Sequence, residues 1–219
     1  MKAVIMGATG LVGGWVIQEL LAEPRCTEVT SVGRRAQVPQ VQKWKERIGS
    51  MTDLDTLLKD VQADAAFCCL GTTIKKAGSQ SAFEEIDWHL PLRFARSLRK
   101  QGVKQFHVVS SLGADAASKN FYLRTKGRME DELKALGFET LAIYRPSLLL
   151  GERQEKRPME HLSIKAYRWF EPMYPRFLQS WKPIEAKDVA RSMVSEALAG
   201  KPGTRILENR EMHAKLVQS

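Results

Sequence analysis

The run Lys2-Ala-Val-Ile-Met-Gly7-Ala-Thr-Gly10-Leu-Val-Gly13 leaves the chain few ways to fold. A short apolar stretch of strand length leads into regularly spaced glycines. Apolar residues then return at helical spacing as Leu11, Trp15, Ile17, Leu20 and Leu21. The pattern predicts a strand, a tight turn and a helix, and each glycine answers a different need. Gly7 lets the chain turn sharply off the strand. Gly10 has no Cβ to keep backbone N–H groups from a diphosphate, and Gly13 lets the helix close on the strand. The unpaired N–H groups of the helix start, at the positive end of its dipole, suit phosphate oxygens. An ordinary glycine-rich turn is the bland alternative. The place of this one, after a first strand and before a first helix, favours a dinucleotide site.

With 219 residues the chain is long enough for a real core, and it reads as a single domain, 1–219, with a small substrate cap around 151–183. No stretch approaches the length of a membrane span. A signal peptide is rejected because glycines break the N-terminal apolar run. Cys26, Cys68 and Cys69 are few and odd in number, with no C-x-x-C, which suits a reduced cytoplasm. The histidines show no ligand spacing, so no metal site is expected. A net charge of +9, from 34 basic and 25 acidic residues, invites an anionic partner. Arg93, Arg96, Arg99 and Lys100 share one helical face, but they read as a solvated face. With no nucleic-acid module in the sequence, nucleic-acid binding is disfavoured.

Glu28–Gly33 reads as the second strand, and Arg34-Arg35 follow it directly. In dinucleotide folds this junction meets the adenosine ribose: a carboxylate there bonds the 2′-hydroxyl, whereas an arginine accommodates a 2′-phosphate. Two guanidinium forks and no acid favour NADPH over NADH. Glu46–Met51 is a candidate third strand, after which Thr52 or Asp53 caps a helix over Leu54–Val61. Asp53 is also a candidate to touch the adenine, and capping alone explains it equally well. Asp64–Leu70 is a buried strand closing on Gly71-Thr72-Thr73, beside the glycine loop and where the dinucleotide would lie. A helix is expected from Ala82 to Gly102, and a strand from Lys104 ends in Ser110-Ser111.

Tyr122 and Lys126 stand at i and i+4 on the next helix, which sets both on one face. A free phenol has a pKa of about 10, and a neighbouring ammonium lowers it. Tyr122 can then exchange a proton with a carbonyl oxygen as hydride is transferred, while a serine hydroxyl at the preceding strand end polarises that oxygen. Ser111, the last hydroxyl of its strand, is preferred over Ser110. Glu139–Tyr144 is the sixth strand, and a charged loop follows at 152–158. The aromatic cluster Tyr167, Trp169, Phe170, Tyr174, Phe177 and Trp181 reads more readily as packing than as a pocket. An amphipathic helix over Ile184–Leu198, an edge strand over Thr204–Leu207 and a short C-terminal helix complete the chain.

Taken together these residues resemble the atypical short-chain dehydrogenase/reductases, and within them the Tat-interacting-protein family. Gly-Ala-Thr-Gly and Tyr-x-x-x-Lys are shared by the whole superfamily. Cys68-Cys-Leu-Gly-Thr-Thr73, Ser110-Ser-Leu-Gly-Ala-Asp115, Arg153-Gln-Glu155 with Arg157-Pro158, and Leu207-Glu-Asn209 are narrower. The resemblance implies an α/β fold: a doubly wound (Rossmann), mostly parallel sheet of about seven strands, with helices on both faces and a small C-terminal cap. It also implies NADPH contacts at Thr9, Gly10, Leu11, Val12, Arg34, Arg35, Leu70, Gly71, Tyr122, Lys126, Leu149 and Arg157. The expected activity is NADPH-dependent reduction of a small carbonyl or enone. The alternative is an NADPH-binding regulatory or scaffold protein with little turnover. A protein partner or a homodimer is compatible with either.

Overall fold

A computed structural model describes residues 1–36, 41–151 and 182–216. The first strand, β1 (Lys2–Met6), is the hydrophobic centre on which the rest is laid. Ala3 and Ile5 face one core cluster and Val4 and Met6 the other, as the alternation of a strand requires. A strand buried on both faces must be apolar throughout, and this one is from its second residue onward.

The chain continues through α1 (Leu11–Ala22), β2 (Glu28–Gly33), β3 (Trp44–Ile48), α2 (Leu54–Leu58) and β4 (Ala65–Cys68). Short helices α3 (Ile74–Ala77) and α4 (Gln80–Glu84) lead through a π turn (Glu85–His89) into α5 (Leu90–Lys100). Then follow β5 (Gln105–Val109), α6 (Phe121–Ala135), β6 (Thr140–Arg145) and β7 (Leu149–Leu150). The last elements are β8 (Ile184–Glu185), α7 (Ala186–Ala199), β9 (Gly203–Glu208) and α8 (Asn209–Leu216).

Seven strands form one parallel sheet in the order β3-β2-β1-β4-β5-β6-β9, as the doubly wound expectation requires. α1 and α7 supply Val16, Leu20, Val189 and Met193 to the core on one face. α2, α5 and α6 supply Leu58, Phe94, Leu98 and Met129 to the other. Each such side chain, fully buried, contributes about 1.5–3 kcal/mol of hydrophobic stabilisation. The chain runs outward from β1 to β2 and β3, then returns to β4 on β1's other side. The crevice between the carboxyl ends of β1 and β4 is the topological switch point, where ligands of open α/β sheets bind.

Several local expectations shift. The third strand is Trp44–Ile48 rather than Glu46–Met51, because the Trp44 indole donates to Ser31 Oγ at 2.9 Å and pins an earlier register. The Asp53 side chain makes no capping bond, and α2 stops at Leu58 ahead of Asp60, whose φ of 62° breaks the helix. The helix expected over 82–102 starts at Gln80, where Ser79 Oγ accepts the Ala82 N–H, and is interrupted by the π turn. Pro91 is the physical cause: its ring would strike the carbonyl of Asp87 in a regular helix, and it has no N–H to give it. The helix expected from Ile184 begins at Ala186, since Ile184 and Glu185 pair with Leu149 and Leu150 in a short parallel ladder. The expected edge strand is β9, beside β6. The cap around 151–183 and its aromatic cluster fall, but for Gly151, Lys182 and Pro183, outside the described residues.

Candidate functional site

The glycine loop closes on itself so tightly that side chains are excluded at two positions. Gly7 takes φ +90°, and a Cβ there would lie 2.6 Å from the carbonyl carbon of Cys69, at the end of β4. At Gly13 a Cβ would lie 2.1 Å from the Gly7 carbonyl oxygen. Gly10 is the N-cap of α1 and offers no capping side chain, and no acidic residue stands in the first turn. The N–H groups of that turn therefore meet nothing that would repel an anion. Thr9 and Gly10 are exposed at the crevice and Leu11 is half-buried. The Val12 side chain belongs to the core, leaving only its backbone for a ligand.

The other strand ends stand round this loop. Arg34 and Arg35, just past β2, are exposed and make no hydrogen bond or ion pair within the described residues. Asp53 is exposed beyond β3, beside the Ser50–Thr52 hydroxyl pair. Leu70, Gly71 and Thr72 follow β4, and Ser110-Ser111 follow β5. Leu149 and Leu11 both pack against the edge of the same core cluster. Gly151 sits over Leu11, where a Cβ would come within 2.9 Å of its methyl group. Arg157 lies outside the described residues.

Helix α6 carries the titratable groups of the site. Asn120 caps it, its side-chain oxygen accepting the Leu123 N–H at 3.1 Å. Gly127 lets α6 press on the preceding loop: a Cβ there would lie 2.1 Å from the Ala116 nitrogen. Tyr122 is half-buried, its ring 5.5 Å from that of Phe83. One turn on, Lys126 is buried and pairs with Asp87 at 2.8 Å. Burial alone would push the Lys126 ammonium down, but Asp87, with Tyr122 and Cys68, holds it above the ordinary lysine value. A further turn on, the buried Glu130 accepts from the Ser110 hydroxyl at 2.5 Å and from Arg145 Nη2 at 2.6 Å. Ser110 is thus committed inside the protein. Ser111 is partly exposed and has only a long bond, 3.4 Å, to the Leu112 carbonyl.

Tyr122 and Lys126 stand one turn apart on α6, and Ser111 follows β5, the strand beside β4 in the sheet. Asp87, Glu130 and Arg145 are residues the sequence reading missed. Asp87 had a legible signal: an acid four residues after Phe83, on a face that is otherwise apolar.

The model of the HIM1 family matches residues 32–174, more than half of the chain. The chain belongs to the HIM1 family. Among similar HIM1-family relatives is protein HTATIP2 of Rattus norvegicus, 33% identical over 211 residues, covering 94% of this chain and 85% of the relative. Another is protein FMP52, mitochondrial, of Candida albicans, 32% identical over 208 residues, covering 91% of this chain and 89% of the relative. The resemblance to the Tat-interacting-protein family is borne out by the first of these relatives. Among solved structures, Bordetella bronchiseptica WbmG in complex with NAD is similar at a TM-score of 0.70 and 17% identity, covering 95% of this chain and 72% of that one. MoeE5 in complex with UDP-glucose and NAD aligns at a TM-score of 0.69 and 17% identity, covering 100% of this chain and 81% of that one. At such identity these two show the fold.

The cytoplasmic expectation is overturned, because several HIM1-family relatives are named mitochondrial. Its basis was weak for a physical reason. Cys26, Cys68 and Cys69 are free thiols buried in the core, where they report packing rather than redox compartment. No helix among the described residues is long and apolar enough to cross a membrane.

Proposed function

We propose that the protein is an NADPH-dependent reductase of the short-chain type, acting on a small carbonyl or enone compound. The observation that carries the reading is buried Lys126, one turn from Tyr122 and linked through Asp87 to the Thr72 turn after β4, the strand whose end closes on the glycine loop. The loop fits a dinucleotide: Gly7 and Gly13 keep it closed, and the uncapped first turn of α1 offers N–H groups to a diphosphate. Gly7, Thr9, Gly10, Leu11, Gly13 and the Val12 backbone would hold the diphosphate. Asp53, Leu70, Gly71, Thr72 and Leu149 would flank the rest, with Lys126 and Tyr122 toward the nicotinamide ribose. Exposed, and without a partner among the described residues, Arg34 and Arg35 can take a 2′-phosphate, which supports NADPH over NADH.

Bound there, the reduced nicotinamide supplies hydride. Ser111 holds the substrate oxygen by donating its hydroxyl proton in a hydrogen bond. Tyr122 gives its phenolic proton to that oxygen as negative charge develops on it. Lys126, held as an ammonium, stabilises the phenolate left behind. Replacing Tyr122 by Phe tests the assignment. The variant should bind NADPH as the wild type does and lose turnover by about 10²-fold or more. Unchanged turnover would sink the mechanism, and turnover absent from both proteins with NADPH still bound would favour the regulatory reading.

A further inference from the structure

Asp87 is an acid on the buried face of a helix, and the π turn that Pro91 imposes carries it to the site. Both carboxylate oxygens are used there. Oδ1 faces Lys126 Nζ at 2.8 Å, and Oδ2 accepts the Thr72 N–H at 2.9 Å. A Cβ placed on Gly71 would also meet Oδ1, at 3.8 Å. A single carboxylate therefore touches the catalytic helix and the chain leaving β4. π turns inside helices are frequent at functional sites, and here the turn has an assignable result.

We propose that Asp87 is a positioning residue that keeps Lys126 a fixed cation in the site and ties the Gly71-Thr72 turn to it. It acts through Lys126 and does not itself meet substrate. An ammonium at 3% exposure sheds its proton unless an opposite charge stands beside it. Among the described residues three groups face it: Asp87 from the π turn, Cys68 from β4 and Tyr122 from its own helix. Burial pushes the Cys68 thiol up to about 12, so it brings no charge at neutral pH. Glu130, one turn further along α6, is spent on Arg145 and Ser110. The ion pair to Asp87 is what remains to hold the proton on Lys126.

This has a signature that packing alone would not give. In the folded wild type Lys126 titrates above the unfolded chain's lysines. Its contribution to stability is therefore full below about pH 10 and fades as pH rises through the higher folded value. In Asp87→Asn the order reverses, because burial then pulls Lys126 below the unfolded value and stability is lost as pH falls.

Thermal unfolding of the wild type and Asp87→Asn, from about pH 10 down to about pH 6, tests the proposal. The gap in Tm should widen by about 3 °C or more as pH falls. A gap that stays constant would mean that Asp87 only packs, and would overturn it. If Asp87→Asn does not fold, the double variant Asp87→Asn/Lys126→Met decides. Regained folding is expected, since the fault lies in one buried charge left alone. A double variant as unfolded as the single one overturns the proposal. Any consequence for turnover rests on the reductase reading above, but the unfolding curves do not. Failure of that reading, seen as unchanged turnover in Tyr122→Phe, is therefore distinguishable from failure of this one.

Discussion

The Ser110 hydroxyl donates to the Glu130 carboxylate at 2.5 Å, inside the protein and one helical turn beyond Lys126. Adjacent serines at the end of β5 thereby have different work. Ser110 anchors the strand end to α6, with Arg145 completing the carboxylate's partners through Nε at 3.0 Å. Ser111 is left partly exposed just past the same strand end. Ser110→Ala should cost about 1–3 kcal/mol of stability, because a buried carboxylate loses one of its donors, and leave most turnover in place. Ser111→Ala should leave Tm nearly unchanged and reduce kcat by about 10²-fold. Denaturant melts and carbonyl-reduction assays on the two variants would show the split, and the reverse pattern would assign the catalytic hydroxyl to Ser110.

Gly13 and Gly14 are neighbours in α1 with opposite expectations. A methyl group at Gly13 would lie 2.1 Å from the Gly7 carbonyl oxygen, and the rigid backbone of the turn cannot give way. Gly13→Ala should cost more than about 3 kcal/mol or prevent folding. At Gly14 the nearest atom is the Ala8 carbonyl oxygen at 3.7 Å, an ordinary contact. Gly14→Ala should therefore stabilise the helix by about 0.5–1 kcal/mol. Urea midpoints for the pair separate close packing from a general intolerance of the segment.

The parts of the site that are local in sequence were legible, and those made by distant contacts were not. The glycine loop and the Tyr122–Lys126 spacing depend on a strand, a turn and a helix read from neighbouring residues. The Ser110–Glu130 bond spans 20 positions and Lys126–Asp87 spans 39, so neither leaves a periodic trace. Pro91 was the visible sign that the helix through Asp87 could not be regular. β3 was misplaced because it is an edge strand whose residues are partly or wholly exposed, so its apolar alternation is faint. The β7–β8 ladder has only two residues in each strand, too few for any pattern.

In the proposed reading, cofactor choice rests on the two arginines past β2. Arg34 and Arg35 are exposed and have no partner among the described residues, so their substitution should leave the fold alone and act on the ligand. A charge-assisted contact to phosphate is worth about 1.5–3 kcal/mol, or about 10- to 100-fold in affinity. Arg34→Glu should weaken NADPH by at least that factor, by removing a fork and adding repulsion, while NADH affinity changes little. Calorimetric titration with both nucleotides measures it. An equal loss for both would mean that Arg34 does not read the 2′-phosphate.

His107 gives the fold a pH dependence unrelated to the site. It is fully buried in β5, stacked on Phe67 at 5.1 Å between ring centres, with Nδ1 3.1 Å from the Tyr144 hydroxyl. Burial, with the Arg205 guanidinium second, pushes its pKa down to about 3. An unfolded histidine titrates near 6.5, so between these values the unfolded chain takes up a proton that the folded one refuses. The sign follows directly: stability present above about pH 6.5 is lost as pH falls, at up to about 1.4 kcal/mol per unit. His107→Gln lacks this titration. It should start less stable at neutral pH, and the difference from wild type should shrink by about 2 kcal/mol on going from about pH 6.5 to about pH 4.5. Chemical unfolding of both proteins at several pH values would show the convergence. Parallel curves across the range would mean that His107 does not stay neutral in the folded core.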